Sequence, residues 1–287
     1  MTQTLTIITP TFNRCNELKR LYDSLTRQDN YDFKWLIVDD GSVDGTNSFV
    51  DTIKNSDSFE IKYVFKKNGG KQSALNFGFD YIDTPWFFVV DSDDWLVTDT
   101  TNKIIETIKS SKNLIIYFHK ALESGVLLGA KFTENTSTLK TFDKKGLKGE
   151  YSILYSSKLL IRLNESVEFV EYENEKYMAP SVMHRILTSS NNISCFNEVI
   201  TICEYQPDGL TRNSVRNRYK SYNSTLYTYE ILYLNSYGFK NKARHAINWW
   251  RFYFYKRCAL RSKAPMLYLI PGYIMYNYDK IKNRGLF

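Results

Sequence analysis

The stretch Trp86-Phe87-Phe88-Val89-Val90-Asp91-Ser92-Asp93-Asp94 joins a continuous apolar run to a turn that carries three carboxylates. Such a run, bounded by polar residues, is typical of a strand that is buried on both faces. Carboxylates this close repel one another unless a cation joins them, and Mg²⁺ or Mn²⁺ prefers such oxygen ligands. The sequence therefore predicts a buried strand that ends in a divalent metal site, with Asp91, Asp93 and Asp94 as candidate ligands. The alternative is a solvated turn in which Asp93 or Asp94 caps the next helix.

Short apolar runs and helical patterns alternate on both sides of this stretch. Strands are predicted at residues 5–9, 35–38, 61–65 and 114–118. Helices are predicted at residues 18–25, 44–54, 73–82 and 101–108, where apolar residues recur at helical spacing. This order predicts an α/β fold with a mainly parallel sheet flanked by helices on both faces.

Polar or glycine-rich turns follow four consecutive predicted strands, at residues 9–14, 39–46, 68–73 and 91–94. Ligands of parallel α/β sheets bind outside the carboxyl ends of the strands, where these turns would meet. Four such turns at one edge favour a binding site over loops that serve only solubility.

Each turn offers a group that could contact a ligand, and each group also has a purely structural interpretation. A carboxylate of the Asp39–Asp40 pair could accept a hydrogen bond from a nucleobase, or the pair could belong to a plain strand-to-helix turn. Phe12 could stack on a base, or it could pack in the core. Lys71 and Arg14 are cations near strand ends that favour phosphate oxygens, or they could simply be solvated.

Composition excludes several other kinds of site. The four cysteines and three histidines are scattered, with no CxxC pair, which argues against a zinc site or a disulfide framework. No apolar stretch is long enough for a membrane-spanning helix. The first residues lack the basic and small-residue features of a signal peptide, so we expect a cytoplasmic protein whose N-terminal segment forms the first strand.

Charge is distributed unevenly along the chain. Residues 212–287 contain 15 Lys and Arg against 2 Asp and Glu, a net charge of +13. Residues 1–211 contain 23 basic and 29 acidic residues, a net charge of −6. An acidic front suits a carboxylate–metal site, whereas a basic tail suits an anionic partner, either a membrane surface or a nucleic acid.

The four motifs together resemble those of family 2 inverting glycosyltransferases of the GT-A fold, in order and in spacing. They are Pro10–Arg14, VDDGSVDGT at 38–46, NGGK at 68–71 with ALN at 74–76, and DSDD at 91–94. The resemblance is strong over roughly the first 120 residues and weak over the next 90. It implies a nucleotide-diphosphate-sugar donor, most often a uridine one, with Mn²⁺ or Mg²⁺ as cofactor. It also implies transfer to a saccharide or lipid-linked saccharide acceptor in bacterial surface-polysaccharide synthesis, such as that of a capsule.

The resemblance also implies roles for individual residues. Those expected at the base and the diphosphate are Pro10, Phe12, Asp40, Arg14 and Lys71. Asp94 would ligate the metal, Asp93 would reach the ribose or the metal, and Asp91 would support the site.

An inverting transferase needs a general base to deprotonate the acceptor hydroxyl. The family often carries this base in a Glu-Asp pair after the DxD motif. The corresponding region here is EYENEKY at residues 171–177, in which Lys176 stands where the aspartate is usual. We therefore expect Glu175 to be the base, with Glu173 as the second candidate. A solvated acidic loop is the alternative.

Three domain-level expectations follow. Residues 1–211 would form the catalytic domain, with a nucleotide-sugar-binding half (1–118) and an acceptor half (119–211). Residues 212–287 would form a helical, aromatic and basic extension. The extension would either hold the enzyme on the inner leaflet or pack as a subdomain, on the core or in a homo-oligomer.

Two other functions of the whole chain stay open. One is a donor-binding pseudoenzyme. The other is a nucleic-acid-binding protein, which is less favoured because no DNA- or RNA-binding module is recognisable.

Overall fold

The computed structural model describes residues 3–55, 58–147, 149–160, 170–188, 191–204, 213–256 and 264–282. Its strands are β1 Leu5–Thr11, β2 Phe33–Asp39, β3 Glu60–Phe65, β4 Trp86–Val89, β5 Trp95–Leu96, β6 Ile115–Leu122, β7 Thr136–Thr138, β8 Tyr151–Ser156 and β9 Asn192–Cys203. The helices within residues 3–204 are α1 Cys15–Thr26, α2 Thr46–Ile53, α3 Lys71–Phe79, α4 Thr100–Ser110, α5 Leu139–Lys145 and α6 Ser181–Thr188. The helices within residues 213–282 are α7 Ser214–Lys220, α8 Tyr222–Leu234, α9 Phe239–Lys256 and α10 Leu269–Lys282.

These strands form one twisted sheet in the order β3-β2-β1-β4-β8-β6-β9-β5, and β7 also pairs with β9. Strands β1 to β4 are parallel to one another, as the sequence predicts. The sheet becomes mixed beyond β4, because β8 inserts antiparallel between β4 and β6. The predicted strand at 114–118 is part of β6, whose neighbours β8 and β9 both come later in the chain.

The alternation of side chains along the inner strands explains the helices on both faces. Leu5, Ile7 and Trp35 face one buried cluster, which includes residues of α1, α2 and α4. Ile8 and Leu36 face the opposite cluster, which includes residues of α3 and α6. Both faces are apolar, so each must be covered to exclude water. The predicted fold class is confirmed.

The C-terminal helices pack against the sheet-bearing part. Ile231 of α8 belongs to the same buried cluster as Leu36. Arg185 of α6 forms a two-pronged ion pair with Asp143, at 2.7 Å for each contact, and Asp143 also accepts the backbone N–H of Tyr237. These contacts fix α8 and the residues directly after it on the core, while the boundary at residue 211 stays a prediction.

The tail's central aromatic residues are buried within the tail itself. Trp249, Trp250 and Phe252 lie in a cluster with Tyr219 and Tyr222. These three side chains pack as the subdomain alternative predicts, whereas contact of the extension with the inner leaflet stays a prediction. Among the described residues no helix combines the length and hydrophobicity needed to cross a bilayer.

Candidate active site

The carboxyl ends of the parallel strands bring the predicted turns together. Thr11 pairs in register with Asp39, and Asp39 with Phe65, so the turns that follow β1, β2 and β3 leave the sheet at one level. Beside them, the backbone N–H of Val90 donates to the carbonyl of Ile8, which sets the start of the acidic turn next to β1.

The two aspartates after β2 organise the neighbouring loops. Asp39 accepts hydrogen bonds from the N–H of Ser42 and the hydroxyl of Tyr63, both at 2.7 Å. Burial, reinforced by this bond to Asp39, raises the pKa of Tyr63. The carboxylate of Asp40 accepts the N–H groups of Gly69 at 2.9 Å and Gly70 at 2.6 Å.

Asp40 also accepts the ammonium of Lys66 at 3.0 Å, and it is 3% exposed. Its carboxylate therefore holds the loop between β3 and α3 in place, a role that the sequence did not reveal. The expected contact of Asp40 with a nucleobase stays a prediction.

Gly70 lies at a close approach of two backbones. Its φ is +94°, and a Cβ built on it would lie 1.9 Å from the carbonyl oxygen of Lys176. Glu171 of the same acidic segment accepts hydrogen bonds from Ser73 at 2.8 Å and Asn76 at 3.1 Å, both on α3. The segment expected to carry the general base therefore lies against the loop and helix of the predicted phosphate region.

The acidic turn carries two ion pairs. The ammonium of Lys71 lies 2.6 Å from one oxygen of Asp91 and 2.7 Å from the other. Although burial works in the opposite direction, the ammoniums of Lys71 and Lys120 hold the pKa of Asp91 below its usual range. The ammonium of Lys120 lies 2.7 Å from Asp94, which is buried.

Asp93 differs from its neighbours. No described side chain forms a hydrogen bond or ion pair with its carboxylate. Burial, together with the nearby charges of Asp91 and Asp94, raises the pKa of Asp93 to about 6. Asp93 is thus the carboxylate of this turn on which a further positive charge would have the largest favourable effect.

The fit of a divalent cation follows from this arrangement. Among the described residues, no three His, Cys, Asp or Glu side chains converge into a self-contained metal site. Mg²⁺ and its relatives often use one or two carboxylates together with substrate phosphates, and Asp93 fits such a site. Asp94 and Asp91, the other expected ligands, are each paired with a lysine, so a metal bound to them would share the carboxylate with an ammonium or displace it.

Two residues that contact the acidic turn were not predicted from the sequence. Arg20 of α1 donates to the backbone carbonyl of Asp93 at 2.8 Å and to Glu204 at 2.6 Å, and its guanidinium lies 4.1 Å from the ring centroid of Trp95. Lys120 lies beyond the predicted end of its strand. Both act on partners 26 or more positions away, and no local pattern signals such pairs.

The remaining expected donor contacts lie along the strand β1 and the turn after it. Phe12 is 45% exposed, which excludes the core-packing alternative and leaves its ring available at the sheet edge. Pro10 lies within β1, in register with Val38 of β2. Arg14 precedes α1 and forms an ion pair with Glu17 at 3.3 Å.

The two candidate bases have different surroundings. Glu175 accepts the backbone N–H of Asn223 at 2.8 Å, its side-chain amide at 3.0 Å and the backbone N–H of Ser224 at 2.7 Å. Because Asn223 and Ser224 lie in the first turn of α8, Glu175 caps that helix. Glu173 is exposed, and no described residue engages its carboxylate.

A family comparison agrees with this geometry. The sequence model of "Glycosyl transferase family 2" matches residues 6–162, more than half of the chain. The chain belongs to glycosyl transferase family 2. Its sheet and turns display the GT-A fold of that family.

Individual relatives match over shorter or more distant stretches. A teichoic acid poly(glycerol phosphate) polymerase of Staphylococcus epidermidis is 30% identical over 117 residues, which is 40% of this chain and 16% of the polymerase. The chain spans between 15% and 58% of the length of eight curated relatives.

Solved structures share the fold at low identity. S. aureus TarS 1–349 in complex with UDP-GlcNAc superposes with a TM-score of 0.67 at 18% identity, over 88% of this chain and 73% of that one. The mannosyltransferase PcManGT of Pyrobaculum calidifontis, in complex with GDP-Man and Mn²⁺, gives a TM-score of 0.59 at 14% identity, over 98% and 88% of the two chains.

Proposed function

We propose that this protein is a glycosyltransferase that moves a sugar from a UDP-sugar to an acceptor hydroxyl, with inversion at the anomeric carbon and with Mn²⁺ or Mg²⁺ as cofactor. The observation that carries the proposal is the acidic turn at the carboxyl edge of the sheet, in which Asp93 alone lacks a cationic side-chain partner among the described residues. The UDP-GlcNAc complex of TarS supports the choice of nucleotide, and the Mn²⁺ complex of PcManGT supports the metal.

Donor binding would use groups that already lie at this edge. The exposed ring of Phe12 offers a face for the base. Lys71 and Arg14 would lie near the diphosphate, whose charge would compete with Asp91 for the ammonium of Lys71. Asp93 would hold the cation, which when bound would neutralise charge on the leaving diphosphate.

Proton removal from the acceptor is better assigned to Glu173 than to Glu175. Both oxygens of Glu175 accept N–H groups at the start of α8, so this carboxylate is held at the helix end and is not presented to an acceptor. Protonating Glu175 would remove the negative charge that caps α8. Glu173 lies two residues away in the same segment, without such bonds to any described residue.

The acceptor would be a saccharide, free or lipid-linked, in the synthesis of a bacterial surface polymer. The support is the S. epidermidis relative, whose name refers to teichoic acid, a cell-surface polymer.

A thermal-shift panel of nucleotide sugars, with Mn²⁺ and with a chelator, tests the proposal. A ligand that binds only the folded state raises its stability by RT ln(1 + [L]/Kd), so the correct donor should give the largest shift. We expect a UDP-sugar to do so, and only with the metal. Equal shifts for all nucleotides, or shifts unaffected by the chelator, would contradict the proposal.

A further inference from the structure

Helix α10 and the turn before it carry a row of large apolar side chains on one exposed face. The exposed fraction of these side chains lies between 46% and 69%, and they are Leu267, Ile270, Tyr273, Ile274, Tyr278 and Ile281. The spacing of three or four residues places them along one side of a helix that is about 20 Å long. We call this row the α10 stripe. Water-exposed apolar patches of this kind mark interaction surfaces.

The opposite face of α10 is fixed to the rest of the molecule. Asp279 is buried and forms hydrogen bonds with Tyr219 at 2.5 Å and with Arg251 at 2.5 and 2.7 Å. Gly272 lies against α9, where an added Cβ would lie 2.4 Å from the Cβ of Trp250. The helix therefore cannot turn its apolar side inwards without losing a buried ion pair.

The C-terminal helices, of which α10 is the last, carry mostly positive charges. In residues 213–256 and 264–282 there are ten Lys and Arg against two acids, Glu230 and Asp279. Asp279 is neutralised by Arg251. Lys280 and Lys282 are exposed on α10 itself, and their ammoniums lie 5.4 and 5.7 Å from the ring centroids of Tyr276 and Tyr278. A partner for this surface must combine apolar contact with negative charge.

We infer that the α10 stripe lies in the interfacial layer of an anionic lipid bilayer, with Lys280 and Lys282 at the headgroups. A convex helix face with aliphatic and tyrosine side chains beside lysines is typical of helices that lie in the membrane plane. A nucleic acid would match the charge but not the isoleucines. The sequence expectation placed the whole of residues 212–287 on the membrane or in a subdomain, and the inference assigns the membrane contact to the α10 stripe.

The surface is independent of the donor site, but it bears on the proposed function. An enzyme held on an anionic membrane would meet a lipid-linked acceptor there. That consequence rests on the proposed function, whereas the membrane contact itself does not.

Flotation of the full-length protein with vesicles tests the inference. The probes are vesicles of phosphatidylcholine alone and of phosphatidylcholine mixed with phosphatidylglycerol. We expect binding to the second kind only, with release at high salt because the lysine contribution is screened. The double variant Ile270→Gln/Ile274→Gln, which leaves the net charge unchanged, should lower the partition coefficient at least about tenfold.

Matched variants separate the contributions. Leu234→Gln removes an exposed leucine from α8 and should float like the wild type. Lys280→Gln/Lys282→Gln should lower the partition coefficient about fivefold or more, and it provides an independent test if the isoleucine variant does not fold.

Three results would overturn the inference. The first is wild-type flotation of both double variants, and the second is no binding of the wild type to either vesicle. The third is a wild-type dimer that becomes a monomer in the isoleucine variant without any vesicle binding, which would make the stripe an interface between copies. The nucleotide-sugar thermal shift, measured on the same variants, should be unchanged, so failure of the membrane contact and failure of the donor proposal are told apart.

Discussion

The substitution Glu175→Gln separates a structural role of this carboxylate from a catalytic one. In the structure, the two oxygens of Glu175 accept three N–H groups at the start of α8. Glutamine keeps the shape but replaces one acceptor oxygen with an NH₂ group that faces an N–H donor, and it removes the negative charge at the helix N-terminus. A lost cap with an opposed donor costs about 2 kcal/mol. For a chain of this size, that corresponds to a fall of about 3 °C in the melting temperature.

The matched variant Glu173→Gln should behave in the opposite way. Its carboxylate has no bond to a described residue, so the melting temperature should change by about 1 °C or less. If Glu173 is the general base, kcat should fall on the order of 10²-fold or more while the donor-induced thermal shift is kept.

The assay is therefore a pair of measurements on both variants, thermal unfolding and initial rate of transfer. We predict a stability loss for Glu175→Gln and a rate loss for Glu173→Gln. An unchanged melting temperature with abolished transfer in Glu175→Gln would refute the reasoning and return the base to Glu175.

Three further predictions concern backbone contact and titration. Gly70→Ala should lower the free energy of unfolding by about 3 kcal/mol, measured in urea, because its Cβ would meet the carbonyl of Lys176. The control is Gly125→Ala, which also has a positive φ but open space around it, and it should cost only about 1 kcal/mol. Equal losses of stability in the two variants would exclude the close approach at Gly70. Because the pKa of Asp93 is raised from 3.8 to about 6, this group lowers the stability as the pH rises from about 4 to 6, and the loss is complete above that range. Asp93→Asn should therefore gain about 1–2 kcal/mol at neutral pH and nothing below about pH 4. A pH-independent effect in urea unfolding would contradict this. Burial lowers the pKa of His184 to about 3, so the free energy of unfolding should fall as the pH drops from about 6.5 towards 3. This group contributes up to about 1.4 kcal/mol per pH unit. His184→Gln should flatten the pH dependence, and an unchanged dependence would count against a buried neutral His184.

The parallel half of the sheet was predictable because its signals are local. Trp86–Val89 is a strand flanked by an acidic turn in both sequence and structure, and the glycine-rich turns before it mark the same edge. The insertion of β8 was not predictable in this way. It pairs with β4, about 70 positions earlier, and such pairing depends on tertiary packing that no local period records.

The ion pairs of the acidic turn illustrate the same limit. The sequence shows three carboxylates, but it cannot show that Lys71 is committed to Asp91 and Lys120 to Asp94. Only these contacts single out Asp93. In α9 the run WWRFYFYK places aromatic residues on every side of the helix, so its buried side could be identified only from packing against α7, α8 and α10.

Calorimetric titration of UDP into the protein tests the central claim most directly. With Mn²⁺ present, we predict binding to the wild type that is weakened at least about tenfold by a chelator, and equally weakened by Asp93→Asn at a constant pH above 7. If Asp93→Asn bound UDP in the presence of Mn²⁺ as tightly as the wild type does, Asp93 would not hold the cation, and the metal site would have to be sought elsewhere in the chain.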